Sequence, residues 1–270
     1  MKLGIGSYTY PWAIGLTGQY PEHPMTAGDL LAKAVQLGVR VVQICDNLPL
    51  ERMSEPELAR LERLAREADM QIEVGTRGIA LAHLRQCLRL AERFHSPILR
   101  VVVDQGGHEP SPAEVVVTVK ELLPELSAGR VCLAIENHDR FSSRTFAEIF
   151  DSIGSDYVGL CLDTVNSFGA LEGPEAVVER LAQYAVNLHV KDFVIRRAPT
   201  RLGFTVEGAP AGQGRLNLPW LLDCLRAQGR VQSAILEQWT PFGESVGATI
   251  AREDAWAAAS VTCLRKLIPE

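Results

Sequence analysis

The chain has 270 residues, of which 47% are hydrophobic and 22% charged, with a formal net charge of −6. That balance is expected of a soluble globular protein with ample core, and its acidic sign offers no positive field for gathering nucleic acid. Apolar runs of membrane-spanning length, about 18 residues, are missing, as is a leader-like apolar segment in MKLGIGSYTYPW, so neither a membrane partner nor an exported chain is expected.

The elements alternate in chain order. A strand candidate at 3–8, LGIGSY, is followed by a helical pattern at 26–38, with Thr26 or Asp29 placed to open it and Gly38 to end it. A strand at 39–45 leads to a helix at 54–69, where Ser54 and Glu57 have capping-box spacing. Strand and helix then alternate through 71–76 and 80–94, 98–104 and 111–126, 131–136 and 142–154, 157–163 and 173–184. A seventh strand at 185–190 is followed by an unusually long connection at 192–216 with four glycines, the kind of loop that commonly forms a lid or binding loop. A helix at 217–229, a strand at 233–238 and an alanine-rich helix over roughly 248–267 close the chain. Gly154 and Gly229 mark two further helix ends. The six cysteines (Cys45, Cys87, Cys132, Cys161, Cys224 and Cys263) are scattered, with no C-x-x-C pair; free thiols and a cytoplasmic location are expected.

Eight strands alternating with eight helices predict a parallel sheet with helices outside it, and the count matches a single (β/α)8 barrel over residues 1–270 better than an open doubly wound sheet. In such a barrel, chemistry gathers where the strands end at their carboxyl side. The fifth, sixth, seventh and eighth runs end in Glu136, Asp163, His189 and Glu237, one metal-type ligand per adjacent strand. Each alone has an ordinary reading as a cap, an ion-pair partner or a half-buried histidine; four at equivalent heights point to a site. Three carboxylates and an imidazole suit a hard or borderline divalent ion, with Mn²⁺ favoured and Mg²⁺, Co²⁺ or Zn²⁺ as alternatives. Without a cation, the carboxylates would repel and raise one another's pKa values.

The words IENH, CLDTVN, NLHVKD and LEQ, with Glu136, Asp163, His189 and Glu237 in place, resemble the xylose isomerase-like TIM barrels of the sugar phosphate isomerase/epimerase superfamily over nearly the whole chain. The resemblance implies a metal-dependent enzyme acting on a small carbohydrate, and association as a homodimer or homotetramer. It also implies that Glu136 and Glu237 form a proton-transferring pair, as in the epimerases of this group. Asn166 stands where the ketose 3-epimerases and the zinc endonuclease branch carry a histidine, and Ile195 where the former carry an arginine. Both departures count against an ordinary ketose epimerase, and the first also against a phosphodiesterase for abasic DNA.

Several neighbours are candidate substrate contacts. Arg77 ends the third strand and suits a carboxylate or phosphate, with a rim ion pair as the plain alternative. Lys191 shares parity with His189, and His138 with Glu136, so both are expected to face the mouth. Asn166 and Trp12, the latter following the first strand, complete the set, and Trp239 and Phe242 are expected as further apolar walls. Nothing in 192–216 makes a phosphate cradle, so an unphosphorylated sugar, keto-sugar or sugar acid is the expected substrate. The leading expectation is an isomerase or epimerase working through an enediolate. A decarboxylase of a 3-oxo sugar acid using Arg77 and Lys191 as clamps is the alternative, followed by a barrel that binds sugar without turning it over.

Overall fold

The computed structural model describes residues 1–269; Glu270, the last residue of the expected domain, lies outside them. Eight parallel strands close a barrel: β1 (Lys2–Gly6), β2 (Val41–Ile44), β3 (Gln71–Arg77), β4 (Ile98–Val102), β5 (Cys132–Glu136), β6 (Val158–Asp163), β7 (Ala185–Val190) and β10 (Ser233–Leu236), with β10 pairing both β7 and β1. The helices α2 (Ala27–Leu37), α3 (Glu55–Glu67), α4 (Leu81–Arg93), α5 (Pro112–Gly129), α6 (Ser143–Ile153), α7 (Pro174–Leu181), α8 (Leu218–Gln228) and α9 (Val246–Leu267) alternate with these strands. A short extra helix, α1 (Pro11–Ile14), follows β1.

The punctuation read from the sequence works as physical chemistry requires. Ser54 and Glu57 exchange hydrogen bonds across the first turn of α3, and Thr26 with Asp29 does the same for α2. Gly38, Gly154 and Gly229 end their helices in the left-handed region. Apolar faces of the helices pack on the outside of the strands; Leu84, Leu122, Phe146, Leu181 and Leu222 are almost wholly removed from water. Truncating any of these leucines to alanine is expected to cost about 2–5 kcal/mol. The six cysteines are free thiols.

The long connection differs from its sequence reading. Instead of a loop it forms an antiparallel hairpin of β8 (Asp192–Arg197) and β9 (Phe204–Ala209), starting two residues after β7 ends. Its strands are mostly exposed, so they lack the apolar run that marks a buried strand. The root is tied by Asp192, whose buried carboxylate accepts from the backbone N–H groups of Phe193, Gly212, Gly214 and Leu216 at 2.8–3.0 Å. Gly208 lets the hairpin press on the segment after β10: a Cβ there would lie 2.5 Å from the Trp239 carbonyl oxygen. The hairpin therefore forms one side of the barrel mouth.

Candidate active site

Glu136 and Asp163 are the last residues of β5 and β6, His189 sits one residue before the end of β7, and Glu237 immediately follows β10. Register places Asp163 beside His189, and Ile235 of β10 on its other side, so the four side chains share one end of the barrel. All four are buried. His189 Nδ1 lies 3.2 Å from Glu136 Oε2, 3.1 Å from Glu237 Oε1 and 4.0 Å from Asp163 Oδ2. Asp163, His189 and Glu237 offer ligand atoms within 4.8 Å of one another, and so do Glu136, His189 and Cys161. Cys161 donates its thiol to Asn187 Oδ1 at 3.1 Å, and burial pushes its pKa well up, so it stays protonated.

The hydrogen bonding of this cluster is unequal. Asp163 Oδ1 accepts from the N–H groups of Val165 and Asn166, but its Oδ2 has no hydrogen-bond partner. Nor do His189 Nδ1 or either oxygen of Glu237. Lys191 Nζ lies 2.8 Å from both Asp163 Oδ2 and Glu237 Oε2, as an ion pair off the hydrogen-bond line. Glu136 is held quite differently. Its Oε2 accepts from Arg100 Nε, and its Oε1 accepts from Asn166 Nδ2 at 2.8 Å. Burial alone would raise the Glu136 pKa, but the Arg100 guanidinium, then His189 and Lys191, holds it well below the usual carboxylate range. For His189, burial works against the charged ring, yet Glu237 and Glu136 raise its pKa overall. Buried polar atoms without a hydrogen bond are uncommon, and these four, faced by Lys191 Nζ and by one another, form a candidate group of cation ligands. Oxygen and imidazole donors fit a divalent ion there.

The other expected residues fall around this centre at different distances. Lys191 is in the cluster, and Asn166 bridges it, with Oδ1 3.3 Å from Lys191 Nζ and Nδ2 on Glu136. Arg77 is one layer out: its Nε donates to Asp46 Oδ2 at 3.1 Å, and Asp46 also accepts from Tyr8 and from Arg100 Nη1. Trp12 stands on the wall of a cavity of about 460 Å³ with Tyr8, Phe168, Lys191, Val206 and Trp239. Its indole donates to the Thr240 carbonyl and its ring packs 5.3 Å from Phe242. His138 turns to its own neighbour, Nδ1 lying 2.6 Å from Asp139 Oδ1 in a partly exposed position, rather than to the cluster. Asn137 points away from the axis and straps β5 to β6 through the Asp163 backbone. A larger cavity of about 650 Å³ lies at the opposite end, among Met1, Arg40, Met70 and Ile268. It touches none of the expected site residues.

Arg100, Asp46 and Tyr8 escaped the sequence reading. Arg100 carried a usable signal, a lone cation in the middle of the apolar run ILRVVVD at the parity that faces inward. Asp46 and Tyr8 follow strand ends and look like ordinary loop residues.

Residues 31–267 match the family described as xylose isomerase-like TIM barrel. A 3-oxo-isoapionate decarboxylase of Pectobacterium atrosepticum is 32% identical over 264 residues, covering 98% of this chain and 95% of that protein. Among solved structures, a D-psicose 3-epimerase with D-tagatose from Clostridium cellulolyticum H10 superposes with a TM-score of 0.74 at 16% identity, over 99% of each chain. A xylose isomerase-like TIM barrel protein from Mycobacterium smegmatis in complex with magnesium gives 0.71 at 14%, over 97% of each. At such identities these two structures share the fold. Among the described residues no helix is long and apolar enough to cross a membrane.

Proposed function

The chain belongs to the xylose isomerase-like TIM barrel family, and from that premise we propose that residues 1–270 form one domain, a divalent-metal-dependent enzyme acting on a small carbohydrate through an enediolate. The observation that carries this reading is the set of buried, converging atoms that make no hydrogen bond: His189 Nδ1, Asp163 Oδ2 and both oxygens of Glu237, faced only by one another and by Lys191. Glu136, Asp163, His189 and Glu237 are the residues that would hold the ion, with Mn²⁺ favoured for the mainly oxygen donor set. When bound, such an ion supplies Lewis-acid polarisation of a carbonyl and stabilises negative charge developing on its oxygen.

An enediolate can be reached by loss of CO₂ or by loss of a proton, and the unequal treatment of the two glutamates favours the first. A carboxylate that must take up a proton needs an open oxygen and adequate basicity. Both Glu136 oxygens already accept from Arg100 and Asn166, and Arg100 holds the carboxyl well below its ordinary pKa. Glu237 makes no such hydrogen bond and lies 2.8 Å from Lys191 Nζ, which can carry the proton. One proton carrier suffices for decarboxylation of a 3-oxo sugar acid. The bond to the carboxylate breaks, its electron pair moves to the neighbouring carbonyl oxygen, and CO₂ leaves. A proton from the Lys191 ammonium then reaches the carbon. Arg77 is the anchor for the substrate carboxylate, and Trp12 and Trp239 wall the sugar. The decarboxylase relative supports the same reading.

The second reading is an isomerase or epimerase in which Glu136 and Glu237 share the proton transfer. Their nearly equal distances to His189 Nδ1, 3.2 and 3.1 Å, favour it, since they flank one centre. Incubating the Mn²⁺-loaded protein in D₂O with 3-oxo sugar acids and ketoses separates the two. CO₂ release with one deuterium in the product supports the lyase. Deuterium exchange or isomerisation of a ketose without CO₂ release overturns it in favour of the isomerase, and neither activity in a protein that binds Mn²⁺ leaves a sugar-binding barrel.

A further inference from the structure

Below the rim, Gln43 on β2 and Glu73 on β3 face each other in register and are fully buried. Buried amides and carboxylates need partners on every polar atom, and here the partners dictate the direction of each hydrogen bond. Asn187 Nδ2 donates to Ser233 Oγ at 2.8 Å and to the Ser233 carbonyl at 3.4 Å. A carbonyl can only accept, so the oxygen of Asn187 is the end that faces Gln43. Gln43 Nε2 therefore donates to it at 3.1 Å and, on its other hydrogen, to Glu73 Oε2 at 3.1 Å. Glu73 Oε1 accepts from Ser233 Oγ at 2.6 Å and Gln71 Nε2 at 3.1 Å. With its nitrogen committed, Gln43 turns its oxygen to His189 Nε2 at 2.6 Å, which requires a hydrogen on that nitrogen.

A neutral imidazole carries its hydrogen on one nitrogen and a lone pair on the other, and the partner of the first decides which. We propose that Gln43, oriented by Glu73 and Asn187, is a positioning residue for the metal centre: it holds His189 with hydrogen on Nε2, so that Nδ1 presents its lone pair to the ion between Glu136, Asp163 and Glu237. The opposite tautomer would aim an N–H at the cation and a lone pair at the Gln43 oxygen, losing both interactions. This inference rests on the metal reading above, and its test distinguishes failure of one from failure of the other.

The test is a titration of the full chain with MnCl₂, comparing the wild type with Gln43→Met, Glu73→Gln and the exchanged double variant Gln43→Glu/Glu73→Gln. It is paired with ¹⁵N-histidine NMR of the Zn²⁺-loaded protein. The outer partner of a histidine ligand commonly sets about 10–100-fold in metal affinity, and Gln43→Met and Glu73→Gln should each weaken Mn²⁺ binding by that order. In the exchanged pair a carboxylate again accepts from His189 Nε2 and an amide again donates to it, but the second carboxylate oxygen meets Asn187 Oδ1, so only part of the affinity lost in Glu73→Gln should return. The spectrum should show hydrogen on Nε2 in the wild type, which a purely packing role would not require. Wild-type binding that Gln43→Met leaves unchanged overturns the inference, as does hydrogen on Nδ1 in the wild type even where the variants fail to fold. A wild type that takes up no Mn²⁺ overturns the metal reading itself.

Discussion

Two polar clusters occupy the inside of this barrel, one at the rim and one in the floor, and they differ in completeness. In the floor, Gln43, Glu73, Asn187 and Ser233 satisfy one another with directed hydrogen bonds. At the rim, Asp163, His189 and Glu237 leave four buried atoms without a hydrogen bond. Composition alone would class both as buried polar groups. Completeness distinguishes them: the floor network is closed by directed hydrogen bonds, whereas the rim atoms are faced only by the ion pairs of Lys191 and His189. Arg100 belongs to neither, spanning the rim from Glu136 to Asp46.

The most forceful way to break this contrast is to remove the cation that lets Glu136 sit charged and buried. Arg100→Leu leaves that carboxylate without its main partner, and breaking a buried pair on one side costs about 3–5 kcal/mol. Thermal unfolding should shift down by roughly 2–4 °C per kcal/mol for a chain of this size. An unchanged melting temperature would mean that Glu136 is not held by Arg100 in solution.

A sharper comparison exchanges one carboxylate for an amide in each cluster. Glu237→Gln at the rim should lower turnover by about 10²–10³-fold, the scale seen when a charge-stabilising group is lost. Its melting temperature should fall less than that of the floor variant, because Lys191 still faces Asp163 and a repulsion between converging carboxylates is relieved. Glu73→Gln in the floor should instead destabilise by about 1–3 kcal/mol, since an amide places donors against donors. Equal stability losses in the two variants would erase the distinction between open and closed networks.

A pH-dependent test concerns Glu253, a buried carboxyl that belongs to neither cluster. It accepts from the backbone N–H groups of Trp12 and Ala13, and burial, opposed by those two bonds, pushes its pKa from 4.5 up to about 8. The folded protein therefore keeps a proton that the unfolded chain releases between those values. Stability from this group is fully present below pH 4.5 and is lost as pH rises through about 8. Melting temperatures measured from pH 6 to 9 should fall for the wild type and flatten in Glu253→Gln; parallel profiles would sink the assignment. Glu136 titrates in the opposite direction because a guanidinium rather than two N–H groups faces it.

Much of this was legible before any coordinates. Alternating apolar runs and caps such as Ser54–Glu57 report local preferences, and local preferences decide helices and strands. Strand ends at Glu136, Asp163, His189 and Glu237 could be lined up because a parallel barrel puts every strand's carboxyl end on one face. His138 shows the limit. Parity aims it at the mouth, yet the chain leaves the strand after Glu136 and parity no longer applies; the side chain meets Asp139 instead. The hairpin of β8 and β9 was hidden for another reason, since its strands are exposed and carry no buried pattern.

What the sequence determined by itself is the barrel, its alternation of strands and helices and the four side chains brought to one end, because each follows from hydrophobic period and strand polarity. Tertiary structure decided which of those side chains are clamped and which stay open. Arg100 comes from 36 residues away to occupy Glu136, and Gln43 from 146 residues away to set His189. Such pairings depend on barrel closure and register between distant strands, a property of the assembled sheet that no local stretch of residues encodes.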